Sequence, residues 1–180
     1  MKHLTYVLLT ALLILGGCKN DDDNTPIAPI DQLPPATKFG ANTAGCLVNG
    51  EVHLPNKRLT LNYLARENFG LVLSNEFNDI SYKIIVFFNN TSFEIGQTYI
   101  LNTPFNSNVN SRTGEYTIGS NSPPSPTYFT TNNAVTGELT ITHHDPDKFI
   151  ISGTFWFNAK NSLGEIVEVR EGRFDMIYNI

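Results

Sequence analysis

Hydrophobic residues recur with a period of two through most of the chain after residue 38, and no stretch there carries the 3.6-residue period of an amphipathic helix. Cys46-Leu47-Val48 and Glu51-Val52-His53-Leu54 flank Asn49-Gly50. That pair readily takes φ > 0 at both central positions of a type I′ turn, so a hairpin is predicted there. Leu59, Leu61 and Tyr63 alternate with Thr60 and Asn62, and Phe69, Leu71 and Leu73 form the next run. Residues 80–88 are apolar on both faces apart from Ser81 and Lys83, which predicts a central strand covered on both sides. Residues 93–101 carry Gly96 in their middle and predict a strand with a bend. Residues 102–126 are rich in Asn, Ser, Gly and Pro; they read as a long loop broken by a short strand over 115–118, with a further strand at 127–130.

The last third is patterned most clearly. Residues 137–143, 148–158 and 166–178 predict three strands of an antiparallel meander, separated by turns at Asp145-Pro146-Asp147 and Asn161-Ser162-Leu163-Gly164, with a break at Gly172. Side chains two or four apart on a strand share a face. Phe149, Ile151, Phe155 and Phe157 are therefore expected to be buried together, joined by Leu139 and Ile141 of the preceding strand. Gly153 interrupts that row and predicts a bend or a close approach, not a loop. Trp156 falls on the opposite face. In all, about 8–10 short strands are expected. The fold class is all-β, an antiparallel β-sandwich or barrel, and the pattern does not choose between them.

The first residues follow other rules. After Lys2 and His3, residues 4–15 are mostly apolar, and as a helix they would rise about 18 Å against a hydrocarbon core of ~30 Å. They read as the core of an export signal and not as a spanning helix. Leu15-Gly16-Gly17-Cys18 then resembles the lipobox of bacterial lipoproteins, which implies cleavage before Cys18 and acylation of its thiol and amine. Several acyl chains together hold stably, at ~0.8 kcal/mol per buried CH₂. Lys19 to Asp23 resembles the acidic surface-export signal of Bacteroidetes lipoproteins, and Pro26, Pro29, Pro34 and Pro35 favour an extended spacer. The expected organisation is a signal peptide over 1–17, a lipidated Cys18 with a flexible tether over 18–38, and an all-β domain over 39–180.

Composition removes some functions. Apolar residues are 41% of the chain and charged residues 16%, enough to bury one core. The net charge is −5 with no basic cluster, so nucleic acid is not an expected partner. Of the two cysteines, Cys18 is assigned to lipid, and Cys46, between Gly45 and Leu47, reads as a small buried hydrophobe.

Residues 39–52, Phe-Gly-Ala-Asn-Thr-Ala-Gly-Cys-Leu-Val-Asn-Gly-Glu-Val, are similar to the opening of an uncharacterised family of Bacteroidetes lipoproteins. Ile151-Ser152-Gly153-Thr154-Phe155 and Glu171-Gly172-Arg173-Phe174-Asp175 resemble that family's closing strands. The resemblance implies a small all-β domain on a lipid tether and supplies no catalytic residues.

Candidate chemistry is sparse. His143-His144-Asp145-Pro146-Asp147 is the only cluster resembling a metal site. Adjacent His residues on a strand point to opposite faces, and zinc needs three or four ligands, with His53 available only if the fold brings it near. The ordinary reading is a polar turn. Glu165, Glu168, Glu171 and Asp175 read as a solvated sheet face on which Glu168 and Arg170 pair. Tyr116, Tyr128 and Phe129 lie among amides, and with Trp156 they are the candidate ligand-binding residues, of the kinds that sugar-binding surfaces use. The sequence thus points to a non-catalytic binding or accessory module without a cofactor. It would be anchored in the outer membrane through Cys18, displayed on the cell surface, and would meet an extracellular glycan or protein. The alternatives are a metal-dependent hydrolase built on His143, His144, Asp145 and Asp147, and a lipocalin-like carrier of a small apolar ligand.

Overall fold

The computed structural model describes residues 26–105, 110–120 and 126–180. The signal peptide over 1–17, Cys18 and the acidic run after it lie outside the described residues. Among the described residues, eleven strands form one antiparallel sheet: β1 (Thr43–Val48), β2 (Glu51–His53), β3 (Arg58–Leu64), β4 (Asn68–Phe77), β5 (Ile80–Asn89), β6 (Thr98–Leu101), β7 (Arg112–Ser120), β8 (Thr127–Thr130), β9 (Gly137–Asp145), β10 (Ile150–Lys160) and β11 (Ile166–Ile177). The main path runs β2-β1-β11-β10-β8-β7-β5-β4-β3. β10 changes partner along its length, pairing β9 from Ile150 to Phe157 and β8 at Lys160, and β9 carries β6 on its far side. The sheet curls into a half-barrel. Past β11 the chain reaches the β3 edge, where the Tyr63 amide donates to the Asn179 carbonyl at 2.9 Å and the Asn179 amide to the Leu61 carbonyl at 3.0 Å.

The alternation along the strands sets the interior. Leu71 and Leu73 of β4, Ile84 and Val86 of β5, Leu139 and Ile141 of β9, and Ile151, Phe155 and Phe157 of β10 are all buried. Tyr63, Phe69, Phe88, Phe93 and Tyr99 interlock edge to face, with ring centroids 4.7–6.4 Å apart. Cys46 is fully buried in the core, and burial pushes its thiol pKa far up. The Asn49-Gly50 hairpin forms as its composition predicts, with φ of +50° and +87°.

Several expectations change. Phe149 is not in the core but 42% exposed. It takes φ +56° at the end of the β9–β10 turn, before β10 begins, so the parity of that strand does not extend to it; its ring stands against Tyr178 instead. The short strand expected over 115–118 within the loop 102–126 is longer than expected, running nine residues as β7. Its glycine at 114 answers to packing, since a Cβ there would stand 2.7 Å from the Phe157 ring. Gly153 behaves as expected: it lies at a bulge where β9 holds one extra residue, and a Cβ would stand 2.5 Å from the Thr140 carbonyl. Only residues 98–101 of the stretch 93–101 are strand. Among the described residues no second layer covers the outer face of β5; Ile85 and Phe87 are half-buried on it.

The chain before β1 is also placed. Pro29–Gln32 form a 3-10 turn where an extended spacer was expected, and Leu33 is buried beside it. Residues 37–41 cross the outer face over Asp175, which is 1% exposed and not solvated as its sequence context suggests. Its carboxylate accepts from Thr37 Oγ1 at 2.6 Å, from the amides of Phe39, Gly40 and Ala41 at 3.1, 2.9 and 3.0 Å, and from Ser152 Oγ at 2.7 Å. Burial alone pushes this carboxyl up, but the hydrogen bonds from Thr37, Ser152 and the Ala41 and Gly40 amides outweigh it and bring the pKa to about 2.

Candidate functional site

On the outer face, β5 presents Ser81, Lys83, Ile85 and Phe87, and β7 presents Thr113, Glu115, Thr117 and Gly119. Register lines them up in rows: Lys83 opposite Thr117 and Thr117 opposite Tyr128 of β8, then Ile85 opposite Glu115, then Phe87 opposite Thr113. In the row beyond Lys83, Glu76 faces Ser81 and Ser81 faces Gly119. The last two are small, so the sheet surface sinks there beside the taller Tyr128 and Lys83. The hollow has a volume of about 390 Å³. A second hollow of about 280 Å³, lined by Phe87, Phe105 and Thr113, shares Ile85 and Glu115 with it. Together they form a trough along β5 and β7.

Its two ends are aromatic. Tyr128 is 54% exposed at one end and Phe105 60% exposed at the other, with Phe105 edge-on to Phe87 at 5.0 Å. Between them Thr117 Oγ1 donates to Glu115 Oε1 at 2.9 Å, and Lys83 stands exposed. The trough therefore offers flat apolar surfaces, an ammonium, a hydroxyl and a carboxylate. Its other carboxylate, Glu76, is paired with Lys57 at 3.1 Å. Glu76 and Glu115 belong to rows four residues apart on β5. That separates them by about 13 Å along the strand, beyond the spacing of a catalytic carboxylate pair. The arrangement suits holding a ligand.

The four candidate residues do not gather in one place. Tyr128 belongs to the trough. Tyr116 and Phe129 are its neighbours in register but face inward, both buried, with rings 5.9 Å apart. Trp156 lies on the outer face of β10, half-buried, where its Nε1 donates to Glu138 Oε2 at 3.1 Å and the Arg170 guanidinium lies 5.5 Å from its ring. Arg170 is also 3.5 Å from Glu168, the pair its spacing predicts. Lys83, Phe105 and Glu115 were not singled out by sequence. Lys83 was the visible signal, a cation inside an otherwise apolar strand.

The histidine cluster also separates. His143 pairs with Ser152 and His144 with Ile151 on β10, on opposite faces. His144 faces inward, 5.3 Å from the Tyr63 ring, with Nε2 3.4 Å from the Tyr178 hydroxyl. Asp145 is occupied by the turn, accepting from the amides of Asp147 and Lys148 at 3.1 Å and pairing with Lys148 Nζ at 3.1 Å. Among the described residues no three His, Cys, Asp or Glu side chains are grouped to hold a metal ion. Buried apolar side chains from all parts of the sheet pack together as one core inside the half-barrel.

Fold and trough together define a small all-β half-barrel with an exposed, mixed aromatic and polar surface. Residues 47–178 match the model of a family described as a domain of unknown function (DUF6252), and the chain belongs to that family. Neither the curated proteins nor the solved structures compared with the chain give a match.

Proposed function

We propose that this chain is a non-catalytic lipoprotein of the Bacteroidetes kind, anchored through acylated Cys18 on the outer face of the outer membrane, that holds an extracellular glycan in the trough of β5, β7 and β8. The observation that carries the binding reading is the pair of exposed rings, Tyr128 and Phe105, flanking Lys83, Thr117 and Glu115. A sugar has apolar faces that stack on rings and hydroxyls that exchange hydrogen bonds with charged groups, so one ligand satisfies both halves of the trough. A purely apolar partner would leave the Lys83 ammonium desolvated without a partner and Glu115 with the Thr117 hydroxyl alone. The anchor rests on Leu15-Gly16-Gly17-Cys18 after a short apolar segment, and surface display on the acidic run that follows.

The test is a glycan array probed with the purified protein, followed by calorimetry on the oligosaccharide that binds. Tyr128→Ala and Phe105→Ala should each weaken binding by roughly tenfold or more, about 1.4 kcal/mol, with melting unchanged. Array binding that neither variant alters, or no glycan bound at all, overturns the reading. Cys18→Ser should shift the protein out of the detergent phase, and persistence there removes the anchor. Replacing Asp21, Asp22 and Asp23 by Ala should lower protease accessibility on intact cells, and unchanged accessibility removes surface display.

A further inference from the structure

At the open end of the half-barrel, between the β1–β2 and β4–β5 hairpins, lies a cleft of about 340 Å³ separate from the outer trough. Asn75 and Phe77 continue the inward row of Leu71 and Leu73 on β4, and Tyr82 continues that of Ile84 on β5. His53 enters from β2 and Tyr116 from β7. His53 is only 4% exposed, yet its Nε2 has no hydrogen-bond partner, and neither has the buried Oδ1 of Asn75. Native proteins rarely leave such atoms unpaired, and two around one cleft point to an occupant.

The chemistry of the walls narrows what that occupant is. Burial pushes the His53 pKa down, opposed by a hydrogen bond to the Leu73 backbone, so the imidazole is neutral at pH 7. In the neutral ring Nε2, left without a partner, can present a lone pair. Both unpaired atoms can thus accept. The remaining walls are the rings of Phe77, Tyr82 and Tyr116, the Glu51 carboxylate stands at the rim, and no Lys or Arg is among the described residues that line the cleft. Unpaired acceptors, aromatic faces and a negative rim favour a cation that only donates. We infer that this cleft binds a primary organic ammonium ion, its NH₃⁺ donating to His53 Nε2 and Asn75 Oδ1 while its apolar stem lies against Phe77 and Tyr82. β2, three residues long and paired with β1 on one side only, is the element that yields to admit it.

The probe is n-butylammonium chloride, titrated into the full chain while the His53 ring nitrogens are followed by ¹⁵N NMR. The expected result is a saturable shift of the Nε2 signal that n-butanol does not produce. Glu51 is exposed, so Glu51→Gln should keep the fold and weaken binding about fivefold by removing the rim charge. Asn75→Leu should abolish binding, with a thermal melt to establish that the variant is folded. A lysine-containing peptide blocked at both ends, compared with n-butylammonium, distinguishes a protein side chain from a small free amine as the source. Equal response to n-butanol overturns the inference. So does an Nε2 signal that is already that of a hydrogen-bonded nitrogen and does not move, which would mean a trapped water only. Neither result bears on glycan binding in the trough.

Discussion

The Asp175 clasp is the sharpest place to perturb this fold. Asp175→Asn keeps the shape of the side chain but removes the charge and turns an NH₂ group toward donors. The carboxyl moves from 3.8 in its ordinary state to about 2 in the fold. That difference is worth about 2.5 kcal/mol at neutral pH, and the mispaired amide adds to it, so the variant should lose about 2–4 kcal/mol. Because the folded pKa is depressed, the stabilisation is fully present above the unfolded value and is lost as pH falls through the folded one. The gap between wild type and variant should therefore hold down to about pH 4 and close largely between pH 4 and pH 2. Urea melts of both proteins at a series of pH values measure it, and the difference cancels the titration of every other group. Limited proteolysis gives a second readout, since residues 37–41 are held by this carboxylate and should be cut faster in the variant. A gap below about 0.5 kcal/mol at pH 7, or one that stays constant down to pH 2, would refute the reasoning.

Two further outcomes follow from burial. Phe155 is 3% exposed and Trp156 is half-buried on the opposite face, so denaturant melts should show Phe155→Ala losing about 3–5 kcal/mol and Trp156→Ala clearly less; the reverse order would turn the sheet inside out. Cys46 is fully buried and its thiol is held protonated, so it should resist a thiol-disulfide reagent in the native protein and react at the rate of global unfolding; fast native labelling would place it at the surface.

Much of the architecture was legible because strand periodicity is local. The inward row Ile151, Gly153, Phe155, Phe157 needs only a period of two, and the Asn49-Gly50 turn needs only two residues that tolerate positive φ. Phe149 was misplaced because a left-handed turn residue ends the strand's parity, and nothing in an isolated Phe announces it. β7 was read as strand only over 115–118 because Gly114 and Gly119 look like turn residues; one is small to admit the Phe157 ring, and the other floors the trough. Asp175 looked like any exposed carboxylate, since the amides that claim it lie more than 130 positions earlier.

The candidate sites depended on tertiary structure more heavily still. Tyr128 was visible as an aromatic among polar residues, but the trough exists because β6 leaves to pair with β9 and lets β7 dock against β5. The cleft at the open end needs five strands from three separate parts of the chain. The sequence alone determined most of the strand content and the two faces of the most clearly patterned strands, which depend on neighbours within a few residues. Only the tertiary structure decided that the sheet curls into a half-barrel, which aromatics face outward, and which polar atoms are left without partners. Those outcomes depend on contacts between residues far apart in sequence, which no local period encodes.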